Sequence, residues 1–179
     1  MKEIEVKAYL KNRDEVMEKL QSLGCHFSEP IVQNDLVFVE PDFKFKPDDK
    51  KSRNFLRIRK NNDKIIFTLK RPQSNELDCI EKELMIDNVE EMKEILKLLG
   101  YIQAVKINKT RIKCKYNEYE ICIDQVDDLG DFVEVEKITD QDAVLVQREL
   151  LEFLQSVGVD KDNIVMNGYD TLMYRKLNK

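Results

Sequence analysis

Alternation of apolar and polar residues predicts a chain built mainly from β-strands. Successive side chains of a strand point to opposite faces, so a period of two indicates a strand with one apolar and one polar face. By this criterion the predicted strands are 2–10, 31–40, 53–60, 64–71, 79–87, 103–116, 119–126 and 132–138. Short polar turns at 61–63 and 117–118 join two strand pairs as hairpins.

Apolar residues spaced three and four apart predict four helices, at 12–24, 88–100, 139–158 and 170–177. Asn12 and Asn88 each stand three residues before a glutamate, as in a capping box, and a Leu-Gly pair ends each of these two helices. The stretch 41–52, with two prolines and four lysines, is predicted as a mobile loop, whose lysines either are solvated or close over a site.

The two halves of the chain resemble each other. Ile4-Glu5 and Ile80-Glu81 each begin a charged-face strand, and each strand precedes an Asn-capped helix that ends in Leu-Gly. This pattern indicates a duplicated half-barrel. A chance match is the alternative, because helix capping selects the same residue types in any helix.

Charged residues recur on one face of nearly every predicted strand. They are Glu3, Glu5 and Lys7; Arg57 and Arg59; Lys70; Glu81 and Glu83; Lys109, Arg111 and Lys113; Glu120 and Asp124; and Glu134 and Glu136. One such strand is an ordinary solvated face. Seven strands with a charged face require either an open sheet whose charged face contacts solvent or a closed barrel with a charged interior. Closure leaves no strand edge exposed. The amphipathic helices would then cover the apolar outer face.

Composition narrows the class of protein. Apolar residues make up 42% and charged residues 36% of the 179 residues, with a net charge of −5, so we expect one folded domain spanning 1–179 and no nucleic-acid partner. Four cysteines without a C-x-x-C pair and a single histidine argue against a zinc site. No apolar stretch has the length of a membrane span and no leader sequence is evident, so we expect a cytoplasmic protein without membrane association.

The sorted charges suggest a particular ligand. Arginine and lysine side chains on some strands could bind phosphate, and carboxylates on other strands could bind Mg²⁺ or Mn²⁺. The cations are Arg57, Arg59, Lys70, Lys109 and Arg111, and the acids are Glu3, Glu5, Asp124, Glu134 and Glu136. A barrel interior lined in this way would hold a polyphosphate and its metal ions.

These motifs resemble the CYTH superfamily, the triphosphate tunnel metalloenzymes. The resemblance starts with the E-x-E-x-K run at 3–7 and continues in the family's order to about residue 136. The further matches are Leu56-Arg57-Ile58-Arg59, Phe67-Thr68-Leu69-Lys70, Glu81-Lys82-Glu83, Leu99-Gly100-Tyr101, Lys109-Thr110-Arg111, Ile123-Asp124 and the stretch from Leu129 to Glu136.

The resemblance implies an α+β fold: a closed, mainly antiparallel eight-stranded β-barrel with helices packed outside. It implies that Arg57, Arg59, Lys70, Lys109 and Arg111 bind the triphosphate. It implies Mg²⁺ or Mn²⁺ held by Glu3, Glu5 and Glu134, with Asp124 and Glu136 as further candidates and Glu81 and Glu83 as additional tunnel acids. Lys7, beside the metal-binding Glu5, would contact a terminal phosphate or position the attacking water.

Three functions stay open. A metal-dependent triphosphatase acting on inorganic triphosphate, ATP or thiamine triphosphate is favoured, because it needs no base pocket. A class IV adenylyl cyclase is the alternative, although Tyr169 follows Met166-Asn167-Gly168 where those cyclases carry an arginine. The third is a polyphosphate or nucleotide sensor, against which the complete set Glu3, Glu5 and Glu134 argues. A homodimer remains open, since the sequence carries no signal for oligomeric state.

The tyrosines leave a related choice. Tyr116, Tyr119 and Tyr169 could stack on a nucleotide base, but tyrosines in strands more often pack in the core or at its rim. We therefore interpret these residues mainly as packing residues.

Overall fold

The computed structural model describes residues 2–45 and 53–178. The strands are β1 (Lys2–Tyr9), β2 (Ile31–Val39), β3 (Phe55–Asn61), β4 (Lys64–Pro72), β5 (Asp78–Met85), β6 (Ile102–Tyr116), β7 (Tyr119–Val126), β8 (Gly130–Thr139) and the short β9 (Ile164–Val165). The α-helices are α1 (Arg13–Ser22), α2 (Val89–Leu98), α3 (Ala143–Ser156) and α4 (Tyr169–Leu177), and a 3₁₀ turn covers Lys161–Asn163.

Strands β1 to β8 close into an antiparallel barrel. Their order is β5-β4-β3-β2-β6-β7-β8-β1, and a pairing between β1 and β5 closes the ring. Every ladder between neighbours is antiparallel. The expected α+β fold with a closed eight-stranded barrel is confirmed. Strand β9, which pairs with the end of β1 through two residues, was not predicted from the sequence pattern.

The two halves of the barrel share one connectivity. β1-α1-β2-β3-β4 and β5-α2-β6-β7-β8 each place a strand, a helix and a three-stranded meander in the same order. The two halves interleave: β2 pairs with β6, the first strand of each half pairs with the last strand of the other (β1 with β8, β5 with β4), and β1 pairs with β5. The structure therefore has the two-half arrangement that the sequence repeat indicated.

Apolar packing covers the outside of the barrel and fills one of its ends. The outer faces of β1, β7 and β8 pack against α1 and α3 around Ile4, Val135 and Leu150. A second cluster fills the barrel end where β2 meets β3 and β7 meets β8, and α4 adds Tyr169 and Met173 to it. Helix α2 covers a third cluster. The charged faces of the strands therefore point into the barrel interior.

One predicted helix start and one predicted capping contact are wrong. The third helix begins at Ala143 behind the cap Asp142, because the chain as far as Thr139 stays in β8, paired with β1. Asn88 caps α2 by accepting hydrogen bonds from two backbone amides, whereas Asn12 makes no such bond and instead donates to Glu15.

The predicted loop at 41–52 needs a partial correction. Phe43 and Phe45 are buried and pack edge-on against each other and against Phe55, and Phe45 also stacks on Tyr174. Phe43 and Phe45 therefore belong to the apolar core, whereas Pro41, Asp42 and Lys44 are exposed. The rest of the predicted loop, at 46–52, lies outside the described residues. Within the described ranges, none of the helices combines the length and the apolar character needed to cross a bilayer.

Candidate active site

The barrel encloses a cavity of about 390 Å³ with charged walls. Side chains at alternate positions point into it, as the period of two predicts. All the predicted site residues except Asp124 line the cavity: Glu3, Glu5, Lys7, Arg57, Arg59, Lys70, Glu81, Glu83, Lys109, Arg111, Glu134 and Glu136. Asp124 is fully buried behind the wall. Closure of the barrel thus brings these charges from six strands into one space.

Three carboxylates on β1 and β8 form an acidic cluster. Glu3, Glu5 and Glu136 each offer an oxygen atom, and these atoms lie within 4.8 Å of one another. Burial, reinforced by neighbouring carboxylates, raises the pKa of Glu3 to about 9 against the opposing charge of Lys70. Burial and the charge of Glu5 raise the pKa of Glu136 to about 7. Grouped carboxylate oxygens are the ligands that Mg²⁺ and Mn²⁺ prefer, so the donor set fits such an ion.

Asp124 and Glu134, two further predicted metal ligands, form ion pairs with lysine and arginine side chains. Asp124 accepts hydrogen bonds from Lys109 Nζ at 2.9 Å and from Arg111 Nε at 2.6 Å. Glu134 pairs with Arg111 and lies 3.0 Å from Lys7 Nζ. Burial alone would raise the pKa of both carboxyl groups, but the charges of Arg111 and Lys109, joined by Lys7 at Glu134, together outweigh it and hold each pKa below its usual range. These two acids are therefore charged counter-ions of the lysine and arginine side chains.

The opposite wall carries a second set of ion pairs. Arg59 binds Asp35 through two hydrogen bonds of 2.7 Å, from Nε and from a terminal nitrogen. Arg57 donates to Glu83 at 3.2 Å. Asp35 is buried, yet the charge of Arg59 keeps its pKa well below the usual range. Asp35 is not among the site residues predicted from the sequence. Its position two residues after Gln33, on the same face of β2, was the signal that could have identified it.

Lys70 connects this second wall to the acidic cluster. It pairs with Glu81, its neighbour across the β4–β5 ladder, and its Nζ lies 3.9 Å from Glu3. Although burial alone would lower it, the charges of Glu81 and Glu3 raise the pKa of Lys70 above its ordinary value. Lys70 therefore stays charged beside the carboxylates.

Tyr169, the first residue of α4, reaches the cation side of the cavity. Its hydroxyl donates to Asp124 at 2.9 Å, and Nζ of Lys7 and of Lys109 lie 4.0 Å and 4.7 Å from its ring centre. Burial, together with the adjacent charge of Arg111, lowers the pKa of Lys109 to about 8. Tyr169 thus contacts site residues, which its sequence context alone did not reveal.

The other two tyrosines pack on the outside of the barrel. Tyr116 and Tyr119 both contact the ring of Phe153 on α3, with ring centres 5.3 Å apart in each pair. The packing interpretation is confirmed for these two residues.

The comparisons with known proteins agree with this geometry. The family described as CYTH domain matches residues 1–169, and the chain belongs to this family. The protein named "Putative adenylate cyclase MJ0240", from Methanocaldococcus jannaschii, is 33% identical over 175 residues, which cover 94% of this chain and 97% of the relative.

Solved structures share the whole fold. The PH1819 protein of Pyrococcus horikoshii superposes with a TM-score of 0.80 at 26% identity, covering 97% of this chain and 99% of that one. HpAC1 from Hippeastrum, named a "putative adenylyl cyclase" with a dominant triphosphatase activity, superposes with a TM-score of 0.61 at 19% identity, covering 98% and 96%. At that identity the likeness concerns the fold alone.

Proposed function

We propose that this protein is a divalent-metal-dependent triphosphatase that hydrolyses inorganic triphosphate or a nucleoside triphosphate inside its barrel. The observation that carries the proposal is one cavity that joins the acidic cluster Glu3, Glu5 and Glu136 to a wall of lysines and arginines. Phosphoryl transfer depends on positioning and on neutralising charge, and it needs no covalent nucleophile from the protein.

In this proposal the acidic cluster holds Mg²⁺ or Mn²⁺. Such an ion, when bound, neutralises phosphate charge and activates the attacking oxygen. Glu134 and Asp124, which the family resemblance also implies as metal ligands, keep that role as a prediction. Their contacts with Arg111 support a second role, the orientation of the cations that receive the substrate.

The cations bind the phosphates. Arg57, Arg59, Lys70, Lys109 and Arg111 line the cavity, and each is already paired with an acid. A triphosphate would therefore share or displace these carboxylates rather than meet unpaired charges. Lys7 lies between the two groups, 3.5 Å from Glu5 and 3.0 Å from Glu134, where its ammonium can donate to a terminal phosphate and keep it near the acidic cluster.

A class IV adenylyl cyclase is the second candidate. The name of the Methanocaldococcus jannaschii relative favours it, as does an apolar part of the cavity wall, Val37, Phe55 and Ile107, that could contact a base. Against it, the hydroxyl of Tyr169 is bound to Asp124 and its ring lies against two lysines, so this ring is not open for stacking. We therefore favour triphosphate hydrolysis over cyclisation as the activity of this site.

Product analysis by phosphorus NMR separates the candidates. The purified protein is given inorganic triphosphate or ATP, each with Mg²⁺, with Mn²⁺ or with EDTA. The proposal predicts free phosphate, formed faster from inorganic triphosphate than from ATP and abolished by EDTA. Cyclic AMP with pyrophosphate would instead establish the cyclase. Tight binding without turnover of either compound, or of thiamine triphosphate, would establish a sensor.

A further inference from the structure

The turn between β4 and β5 carries a carboxylate that binds the start of α4. Glu76 accepts hydrogen bonds from the backbone amide of Gly168 at 2.8 Å, from the Thr171 hydroxyl at 2.9 Å and from the Asn167 side-chain amide at 3.0 Å. Gly168 precedes the helix and has no side chain to cap it. Glu76 therefore does from a distant segment what an N-cap residue does locally, and its negative charge suits a helix N-terminus.

The turn itself is firmly held. The side-chain amides of Asn75 and of Gln147 on α3 exchange hydrogen bonds of 3.0 Å and 3.1 Å. The carbonyl of Leu77 accepts a hydrogen bond from the amide of Glu5 at 2.8 Å, and Gln147 donates to the carbonyl of Glu5 at 3.3 Å. The segment that carries Glu76 is thus tied to the backbone of a residue in the acidic cluster.

The start of α4 is held on a second side as well. β9 pairs with β1 at Lys7 and Ala8 and ends at Val165, shortly before the helix. Tyr169 follows Gly168 directly, so any movement of the first turn of α4 would move the ring that contacts Lys7 and Lys109.

We propose that Glu76 is a positioning residue: it fixes the first turn of α4 so that Tyr169 orders Lys7, Lys109 and Asp124 for triphosphate binding. Glu76 acts through Tyr169 and touches no reacting atom in this account. The kinetic consequence rests on the proposed function, whereas the anchoring of α4 does not.

The test compares Glu76→Ala with Glu76→Gln and with a matched control, Asp142→Ala. Asp142 caps α3 by accepting from two backbone amides, as a local counterpart of the Glu76 contact. Hydrogen exchange followed by mass spectrometry reports the protection of α4 in each variant. We expect faster exchange across α4 in Glu76→Ala, a smaller change in Glu76→Gln, which keeps one acceptor oxygen, and no change in α4 for Asp142→Ala.

The kinetic arm asks whether Glu76 acts through Tyr169. Glu76→Ala should raise KM for the triphosphate roughly tenfold, in the range of coupling energies between contacting residues, with a smaller change in kcat. In a protein that already carries Tyr169→Leu, the further change Glu76→Ala should alter KM little. Asp142→Ala should leave KM unchanged.

The outcomes separate the two proposals. Unchanged α4 exchange in Glu76→Ala, or kinetic effects of Glu76→Ala and Tyr169→Leu that simply add, would overturn the positioning role. If the wild-type protein hydrolyses no triphosphate, the proposed function fails, and the exchange measurement still decides whether Glu76 anchors α4.

Discussion

Glu5 on β1 and Glu136 on β8 lie directly opposite each other in the ladder that joins the two strands. Like charges at such a position destabilise a sheet, because their side chains are only about 5 Å apart. Glu3 brings a third carboxylate within 4.8 Å of both. A divalent cation bound among the three would remove this repulsion, so the arrangement costs stability that metal binding would restore.

Metal binding should therefore stabilise the protein measurably. Adding Mg²⁺ or Mn²⁺ to EDTA-treated protein should raise Tm, and Glu136→Gln should raise the metal-free Tm by about 1–4 °C while reducing the gain from metal. Differential scanning fluorimetry measures both effects. Glu18→Gln, an exposed change on α1, is the control. A wild-type Tm that does not respond to either metal would contradict the proposed metal site.

Glu5→Gln should remove turnover and preserve the fold. The change keeps the side-chain shape but removes metal-binding charge, and loss of one ligand should lower kcat/KM on the order of a hundredfold or more. The initial rate of phosphate release from inorganic triphosphate is the measurement, with circular dichroism to check folding. Full activity of the variant would rule out Glu5 as a ligand.

Lys109→Met should weaken triphosphate binding. Lys109 lines the cavity, and Asp124, its partner, keeps hydrogen bonds from Arg111 and Tyr169 after the change. A hydrogen bond between charged groups contributes about 1.5–3 kcal/mol, so Kd should rise roughly tenfold to a hundredfold. Isothermal titration with tripolyphosphate tests this, and Lys97→Met, an exposed change on α2, should leave Kd as it is.

Asp35→Asn should destabilise the protein in a pH-dependent way. Breaking the buried pair with Arg59 costs about 3–5 kcal/mol of unfolding free energy at neutral pH. Because folding lowers the pKa of Asp35, its contribution is complete above the ordinary carboxyl pKa of about 4 and is lost as pH falls towards the folded-state value. Urea unfolding of wild type and variant at pH 7, 5 and 3.5 should show the difference shrinking at the lowest pH.

The exposed pair of Arg53 and Asp42 is the matched control for that experiment. It is also held by two hydrogen bonds, both at 2.9 Å, here from the two terminal nitrogens of Arg53. Because water screens this pair, Asp42→Asn should destabilise the protein much less. An equal loss in Asp35→Asn and Asp42→Asn, or a loss for Asp35→Asn that does not vary with pH, would contradict the explanation.

Phe45→Ala should show that Phe43 and Phe45 anchor the segment 41–45 in the core. Phe45 is buried against Phe43 and Phe55 and stacks on Tyr174, with ring centres 4.2 Å apart. Removing the ring should cost about 3–5 kcal/mol in urea unfolding. Leu98→Ala, at a side chain 86% exposed on α2, should change stability by less than about 0.5 kcal/mol. If Phe45→Ala left the unfolding free energy nearly unchanged, this segment would instead be a surface loop without a role in the core.

The sequence by itself determined which residues face the barrel interior. The period of two is a local property of extended backbone, so Glu3, Glu5 and Lys7, or Arg57 and Arg59, could be assigned to one face without knowledge of their neighbours. The number of such faces then favoured a closed barrel with a charged interior. Capping and helix periodicity placed the helices, with errors where a longer strand, as at Thr139, replaced a predicted helical turn.

The tertiary structure decided which of those charges meet. Strand register and barrel closure put Glu136 opposite Glu5. They also placed Asp124 behind the cavity wall, in contact with Arg111, and neither arrangement is encoded within one strand. Asp35 and Glu76 gained their partners from segments far away along the chain. Such contacts depend on how distant segments pair and pack, and a periodic pattern carries information only about its own segment.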